Sequence, residues 1–477
     1  MKKMTYNYLL VTASLAGLLS GCIATQQQKV AENIRALNVA RSTQVLAGVE
    51  AQDVSVAINN PSNNETANAT VLMGEMTLSQ CVKLALTHSI ELFKQELELD
   101  KASADVNRAF YSVFPKLNLS GDVNTLTPFD DPDKESYDLK LTLTQPLWQG
   151  GAISAAYRYA NYEYEKARLS VWEKKEDLLY QISSLYSEII LKQELVAVYQ
   201  SAVDVSERLY NTSKNKLDGG VASRYEVLRA EVEVANAQAE LIREENELNE
   251  LMLKLYNTMG VSQASNVKIV DELVLDESKI DTSNANSLAL NNRAELLAAM
   301  CDIKKAEETL TIVKAEYRPH IDLYASGAYG NSRGEESDWE DEWQAGIKAS
   351  MPIFDGFSRS YKLLSAKAEL KQAEAELRLQ EKNVLSETAN AIMQLAYAER
   401  YYESQKKNKE LSEEVHRMVE EGFKVGKNTQ IEVLDARAAL TEAMGGYYKS
   451  IYTIKQARLN YNLAIGNMNA KALGLEE

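Results

Sequence analysis

Two periodicities divide the chain. In Tyr137-Asp138-Leu139-Lys140-Leu141-Thr142-Leu143-Thr144 the odd positions are apolar and the even ones polar, which marks a strand with two unlike faces. Leu117, Leu119 and Val123 alternate in this way with Asn118, Ser120, Asp122 and Asn124. Ile321, Leu323, Ala325 and Tyr329 alternate with Asp322 and Ser326, and Trp343, Ala345, Ile347, Ala349 and Met351 with Glu342, Gln344, Lys348 and Ser350. The spacing predicts two strand hairpins, 116–147 and 320–353. Each is followed by 65 residues, 153–217 and 357–421, without a glycine or proline. As helices these would each run roughly 100 Å at 1.5 Å per residue, and uncapped helices of that length call for coiled-coil packing. Leu217-Asp218-Gly219-Gly220 and Val425-Gly426-Lys427-Asn428 then place Gly220 and Gly426 where a helix ends in the left-handed conformation. Ser223-Arg224-Tyr225-Glu226 and Thr429-Gln430-Ile431-Glu432 follow at once, both fitting the capping box that opens a new helix. The pattern predicts two long helical hairpins, 151–259 and 357–465.

The whole arrangement occurs twice. Leu84-Ala85-Leu86 and Glu91-Leu92 return 204 residues later as Leu288-Ala289-Leu290 and Glu295-Leu296, and Pro115 returns as Pro319. Beyond the first strand the offset becomes 206: Pro146-Leu147-Trp148-Gln149-Gly150 matches Pro352-Ile353-Phe354-Asp355-Gly356, Gly220 matches Gly426, Val227-Leu228 matches Val433-Leu434, and Gly260 matches Gly466. Anchors in one order at nearly constant offset indicate a tandem duplication, with repeats 77–260 and 284–466. A linker, 261–283, carries two short apolar runs that could be strands, and 467–477 is a tail. Thr77-Leu78-Ser79-Gln80 is a plausible capping box at the start of the first repeat. Of the seven prolines, Pro115, Pro146, Pro319 and Pro352 bracket the strand pairs, Pro128 and Pro132 lie in the first strand loop, and Pro61 precedes the repeats. None falls in a proposed long helix.

The strand runs are about the 9–11 residues that a tilted strand needs to cross a bilayer. One face carries charge inside the strand, as a water-filled lumen allows. Aromatics mark the ends, with Phe114, Trp148, Tyr317 and Phe354 at one border and Phe129, Trp339 and Trp343 at the other, as at membrane interfaces. The loops 125–136 and 331–341 are polar and acidic. An open sheet edge cannot sit in lipid, and the smallest membrane barrels have about eight strands. Four spanning strands therefore require an oligomer, of eight, twelve or sixteen strands for two, three or four copies.

Composition narrows the chemistry. The 477 residues carry a formal charge of −17, which argues against nucleic acid, whose partners need a basic footprint. A mean hydropathy of −0.33 argues against a bundle of membrane-spanning helices. Three histidines (His88, His320, His416) and three scattered cysteines, with no CxxC or HExxH, leave little for a metal site. Gly330-Asn331-Ser332-Arg333-Gly334 matches GxSxG but lies in a predicted strand loop rather than between a strand and a helix, so it is no hydrolase elbow. Nothing points to an enzyme or a cofactor.

Residues 1–21 have a positive end, Lys2 and Lys3, and a short apolar run ending in Leu19-Ser20-Gly21-Cys22. The run is too short to span and reads as a secretory signal. Its end resembles the bacterial lipobox, in which the cysteine is acylated and becomes the new terminus. Two or more acyl chains on Cys22 would anchor the protein stably. Ile23 follows where an Asp would suggest inner-membrane retention, which favours the outer membrane. Removing 1–21 takes two lysines and no acids, moving the charge from −17 to −19. Residues 22–76, rich in Asn, Ala, Gln, Ser and Thr, read as a lipid-anchored tether. Cys81 and Cys301 sit in amphipathic helical stretches as small apolar filler.

Taken together, the lipobox, the duplicated strand-and-hairpin unit, the Pro-x-x-x-Gly exit from the second strand, and Gly426-Lys427-Asn428-Thr429-Gln430-Ile431-Glu432-Val433-Leu434-Asp435-Ala436 resemble the TolC family of outer-membrane efflux and secretion channels, in its lipid-anchored subtype. Gly220 to Ala230 is a looser copy of that motif. The resemblance implies a mainly α chain with transmembrane β: four strands per chain entering a trimeric twelve-stranded barrel, continued by an α-helical coiled-coil barrel. It implies a homotrimer in outer-membrane lipid, helices reaching into the periplasm, and docking of a periplasmic adaptor (membrane fusion) protein and an inner-membrane transporter of an efflux or type I secretion system. It also places acidic residues at the periplasmic entrance, here Glu432 and Asp435, with Glu226 as the first-repeat counterpart. Glu226 and Glu432 stand at the third helical position and can instead cap their own helices. Asp435 lies one turn further along the face of Glu432 and is the better candidate for lining a pore. Family members often carry a basic or polar gate partner in the turn, where Asn428 stands here. Gly445-Gly446 interrupts the last helix, either for close packing or for a bend, and Tyr157, Tyr159, Tyr162 and Tyr164 read as packing of the strand–helix junction. The competing reading is a periplasmic coiled-coil adaptor or structural lipoprotein without a channel. Two hairpins, each paired with strands, weigh against it.

Overall fold

The elements in chain order are β1 (Met73–Met76), α1 (Leu78–His88), α2 (Ile90–Tyr111), β2 (Lys116–Leu126), β3 (Lys134–Gln149), α3 (Ala152–Asp218), α4 (Arg224–Met259), β4 (Asn266–Ile269), α5 (Ala285–Asn292), α6 (Ala294–Ala315), β5 (His320–Asn331), β6 (Glu340–Ser350), α7 (Ser358–Lys424) and α8 (Gln430–Ala464). This is a computed structural model describing residues 73–468, except 127–133, 264, 272, 274, 276–279 and 332–338. Cys22 and Phe129 therefore lie outside the described residues. The chain forms two compact units, one built on Glu96–Ser170 and Glu295–Gln380, the other on Val171–Ala294 and Glu381–Glu477 with the segment ending at Gln95.

In the first unit the four period-two stretches form one antiparallel sheet in the order β2-β3-β5-β6. Register aligns like with like. Leu119 faces Leu141, Val123 faces Tyr137, Leu139 faces Tyr329, and Leu323 faces Ile347. On the opposite face Ser120 meets Lys140, Asp122 meets Asp138, and Asp322 meets Lys348. The apolar face is exposed along its length, including Leu117, Leu119, Val123, Leu139, Trp343 and Ile347. Between β3 and β5 the ladder runs to Gln149, through an irregularity at Pro146/Trp148. Its repeat counterpart β6 stops at Ser350, short of the expected 353, because beyond that point no strand of the described residues lies beside it.

Beside the sheet, α3 and α6 meet along a seam of ion pairs. Arg158 holds Glu308 through two bonds of 2.7 Å, Lys166 holds Asp302 at 2.8 Å, and Lys305 pairs with Glu163. Tyr157 is buried and meets the Phe110 ring at 6.1 Å, and Lys305 lies over the Tyr159 ring at 5.5 Å. These tyrosines pack the strand–helix junction.

In the second unit the buried positions of α7 are Val384, Thr388, Ala391, Leu395, Ala398 and Tyr402. They recur every four and three residues, the a/d seam of a coiled coil. Ala285, Ala391, Tyr461, Ala464 and Ile465 form a buried cluster. β1 pairs in parallel with β4. Tyr186 of α3 fixes this sheet, with its hydroxyl 2.5 Å from the Asp271 carboxylate and 3.3 Å from the Met76 carbonyl. Burial pushes the Tyr186 phenol up, and the Asp271 carboxylate adds to the shift. This corrects the reading of everything before Thr77 as tether: 73–76 is a strand whose partner lies far away in the linker. Of the linker's two apolar runs, the first forms β4, while 272 and 274 of the second lie outside the described residues. Cys81 and Cys301 are free thiols, and burial raises them to about 12 and about 11.

Candidate functional site

Each helical hairpin turns on a glycine. Gly220 has φ 75° and Gly426 φ 74°, a region that a Cβ disfavours. The chain then closes two carbonyls of the ending helix. Val221 N–H donates to Lys216 O at 2.9 Å and Gly220 N–H to Leu217 O at 2.8 Å. In the second turn Lys427 N–H donates to Gly422 O at 2.8 Å and Gly426 N–H to Phe423 O at 3.1 Å. Both are Schellman closures.

The helix starts that follow differ. At the second turn the capping box is complete: Glu432 N–H donates to the Thr429 hydroxyl at 3.3 Å, and Thr429 N–H donates to the Glu432 carboxylate at 2.7 Å. The Asn428 amide donates to the same carboxylate oxygen at 3.1 Å. These donors, Thr429 N–H first, hold the Glu432 carboxyl below its ordinary range. At the first turn only half the box forms. Glu226 N–H donates to the Ser223 hydroxyl at 3.3 Å, and that hydroxyl lies 3.2 Å from the Glu226 carboxylate. The carboxylate is thus drawn to the hydroxyl and does not close on the Ser223 N–H, which corrects the expectation of two equal boxes.

Glu432 and Asp435 are exposed and Glu226 is half-buried. Among the described residues no hydrogen bond or ion pair joins these three acids to one another, and Asp435 has no such partner at all. It stands as a solvated carboxylate one turn beyond Glu432. Two residues that sequence reasoning underrated shape the second turn. Asn428 folds back over Gly422, where a Cβ would lie 1.8 Å from the Asn428 Oδ1. Arg437 is half-buried against α3, donating to the Ser201 hydroxyl at 2.9 Å, and desolvation, then the Arg208 charge, draws its guanidinium below the ordinary value. Gln430 ties the start of α8 to the buried Ser213 at 2.9 Å. Asn428 was legible in the sequence as an Asx residue just before a cap, in the turn where the resemblance puts a gate partner. Arg437 gave no such signal, because its partners lie more than 200 residues away. At Gly446 a Cβ would approach the Gln405 Oε1 to 2.6 Å while α8 continues unbroken, so close packing accounts for that glycine.

The border aromatics Phe114, Trp148, Phe354 and Trp343 are all exposed. Trp148 and Phe354 occupy the same end of the sheet as Phe114. Towards the other end Trp339 stacks on Tyr329 at 5.3 Å and on Tyr137 at 6.3 Å, which adds two tyrosines to the belt expected there.

A sheet with one lipid-like face and one hydrophilic face, joined to long paired helices, defines a subunit of a membrane channel. The sequence model of the family described as "Outer membrane efflux protein" matches residues 81–261 and again 285–467, one match per repeat. Protein CyaE of Bordetella pertussis is 22% identical over 308 residues, covering 63% of this chain and 65% of its own. The chain thus spans just under two thirds of that relative. Nodulation protein T of Rhizobium leguminosarum bv. trifolii is 22% identical over 412 residues, covering 82% and 85%. The crystal structure of CusC superposes with a TM-score of 0.72 over 82% of this chain and 92% of that one, at 15% identity, and so shares the fold. The chain belongs to the outer membrane efflux protein family, whose members are transport conduits and not enzymes. The match in both repeats sets aside the reading as a coiled-coil adaptor.

Proposed function

We propose that three copies of this chain form a passive channel from periplasm to exterior, serving a tripartite efflux or type I secretion system. The observation that carries this reading is the four-stranded sheet, apolar on one face and polar on the other, with no strand among the described residues beside the outer edges of β2 and β6. Free edges cannot remain in lipid, and three copies supply twelve strands to close a barrel. An adaptor and an inner-membrane transporter dock at the hairpin turns, whose exposed Val221, Tyr225 and Val425 offer apolar contact. Glu226, Glu432 and Asp435 set an acidic periplasmic entrance that favours cations, with Asp435 the acid not committed to a cap. Cys22 carries the lipid that holds the mature chain to the outer membrane. The reading is tested by native mass spectrometry of the detergent-extracted protein together with single-channel recording. A three-copy mass and cation-selective conductance are expected, with Asp435→Ala raising conductance or reducing selectivity. A monomer that inserts without conductance would reject the channel. Radiolabelled palmitate should label the wild type and not Cys22→Ala.

A further inference from the structure

The duplication lets the inner seam of the chain serve as a template for the seam between copies. Within one chain, β3 of the first repeat pairs with β5 of the second. The repeat-equivalent pair is β6 of one copy with β2 of the next, and among the described residues neither outer edge has a strand beside it. The offsets are exact in the ladders: Leu117 faces Leu143 as Ile321 faces Ala349, shifts of 204 and 206. Carrying the inner register across places Ser350 opposite Ser120 of the next copy, as Thr144 faces Tyr324. It also places Asp355 opposite Lys116, as Gln149 faces His320, so opposite charges meet.

The helices extend this template. The inner pair Glu163–Lys305 maps onto Glu369 and Lys101, both exposed here. Other positions have changed in matched fashion. Arg158 and Glu308 map onto Leu364 and Ala104, an ion pair replaced by two apolar side chains, both exposed. At the inner junction Arg318 donates to Gly150 O at 2.8 Å, and a Cβ on Gly150 would lie 2.8 Å from Ala315 O. At the outer junction Gly356 has open space around it. There Phe114 stands for Arg318 and Phe357 for Gly151. Phe357 has φ 67°, the one non-glycine residue with positive φ among the described residues, an outlier for a bulky side chain. It is exposed and meets Phe354 edge-on at 5.6 Å.

We infer that Glu369 of one copy forms an ionic clasp with Lys101 of the next, and that Phe354 and Phe357 close on Phe114 of that copy, so that residues 351–355 complete β6 only on assembly. The occupant of this face is a second copy of the chain, and the inference rests on the oligomeric channel proposed above. The test is charge exchange in the full chain, read as the fraction of oligomer surviving in SDS as temperature rises. Lys101→Glu and Glu369→Lys should each lower that fraction roughly threefold, and the double variant should recover most of the loss. A double variant no better than the worse single one overturns the clasp. Ser120→Cys with Ser350→Cys should oxidise to covalent dimers and trimers, whereas Ser120→Cys with Lys348→Cys should not. A trimer by native mass that crosslinks only in the shifted register defeats this seam alone. A monomeric wild type defeats the channel reading beneath it.

Discussion

The two strand–helix junctions descend from one sequence but solve different problems. At Gly150-Gly151 the neighbouring element belongs to the same chain, and the junction is filled by Arg318, with Arg158 and Glu308 below it, their side chains only 21% and 13% exposed. At Gly356-Phe357 no such neighbour is present among the described residues: exposed Leu364, Ala104 and Phe114 stand where Arg158, Glu308 and Arg318 are in the inner junction, while Glu369 and Lys101 keep the charges of Glu163 and Lys305. Duplicated units thus diverge according to whether their neighbour is internal. A largely buried ion pair such as Arg158–Glu308 suits a contact formed once in folding, since a half-made buried pair is costly, whereas exposed charges such as Glu369 and Lys101 stay hydrated until a partner arrives. Apolar surface tolerates exposure until a partner arrives.

The sharpest way to break this comparison is to add one methyl group to each glycine. Gly150→Ala combines φ 61° with a Cβ 2.8 Å from Ala315 O and should cost about 3 kcal/mol. Gly356→Ala, at φ 66° with nothing within 4 Å, should cost about 1 kcal/mol. Thermal unfolding followed by circular dichroism in detergent reads both, and equal losses would contradict a filled inner and an open outer junction. Next in size is the ion pair. Glu308→Ala strands a largely buried guanidinium and should cost about 2 kcal/mol. Arg158→Leu with Glu308→Ala copies the outer seam and should cost less than Glu308→Ala alone. A double variant that loses the sum of the single effects would show that the two side chains are not coupled, and would contradict the stranded guanidinium as the source of the loss.

What could be read from the sequence was local and periodic. The strands, the long helices, Gly220 and Gly426, and the cap residues Ser223 and Thr429 announce themselves within a few positions. What could not be read depends on partners distant in the chain. Met73–Met76 carries no pattern of its own, and becomes a strand because β4 lies beside it. The Arg158–Glu308 seam joins residues 150 apart, and Phe357 looks like any other helix-leading aromatic until its φ is seen. The half-formed box at Ser223 was hidden for a subtler reason, since the S-x-x-E pattern fixes which groups can meet but not which bond the carboxylate takes.

The two hairpin turns sharpen the comparison on a smaller scale. Thr429→Ala removes the acceptor of a complete box whose carboxylate accepts two hydrogen bonds, and should cost about 1 kcal/mol. Ser223→Ala, in a half box, should cost about half as much. Hydrogen exchange over peptides spanning the two turns would resolve them, and a greater loss at Ser223 would reverse the ranking.

Acid should separate the turns as well. Glu432 accepts from Thr429 N–H and from the Asn428 amide, and those bonds hold its carboxyl below the ordinary range in the folded state. A group whose folded pKa is lowered stabilises the fold fully above its unfolded value, and loses that contribution as pH falls through the folded one. The second turn should therefore loosen as pH drops below the ordinary glutamate range, with Asn428 released from the carboxylate and from its place over Gly422. Glu432→Gln should remove this acid dependence while keeping an acceptor for Thr429 N–H. Exchange rates over 422–436, corrected for the intrinsic effect of pH, should rise in acid in the wild type and stay level in Glu432→Gln. An identical rise in both would place the acid-sensitive group elsewhere in the turn.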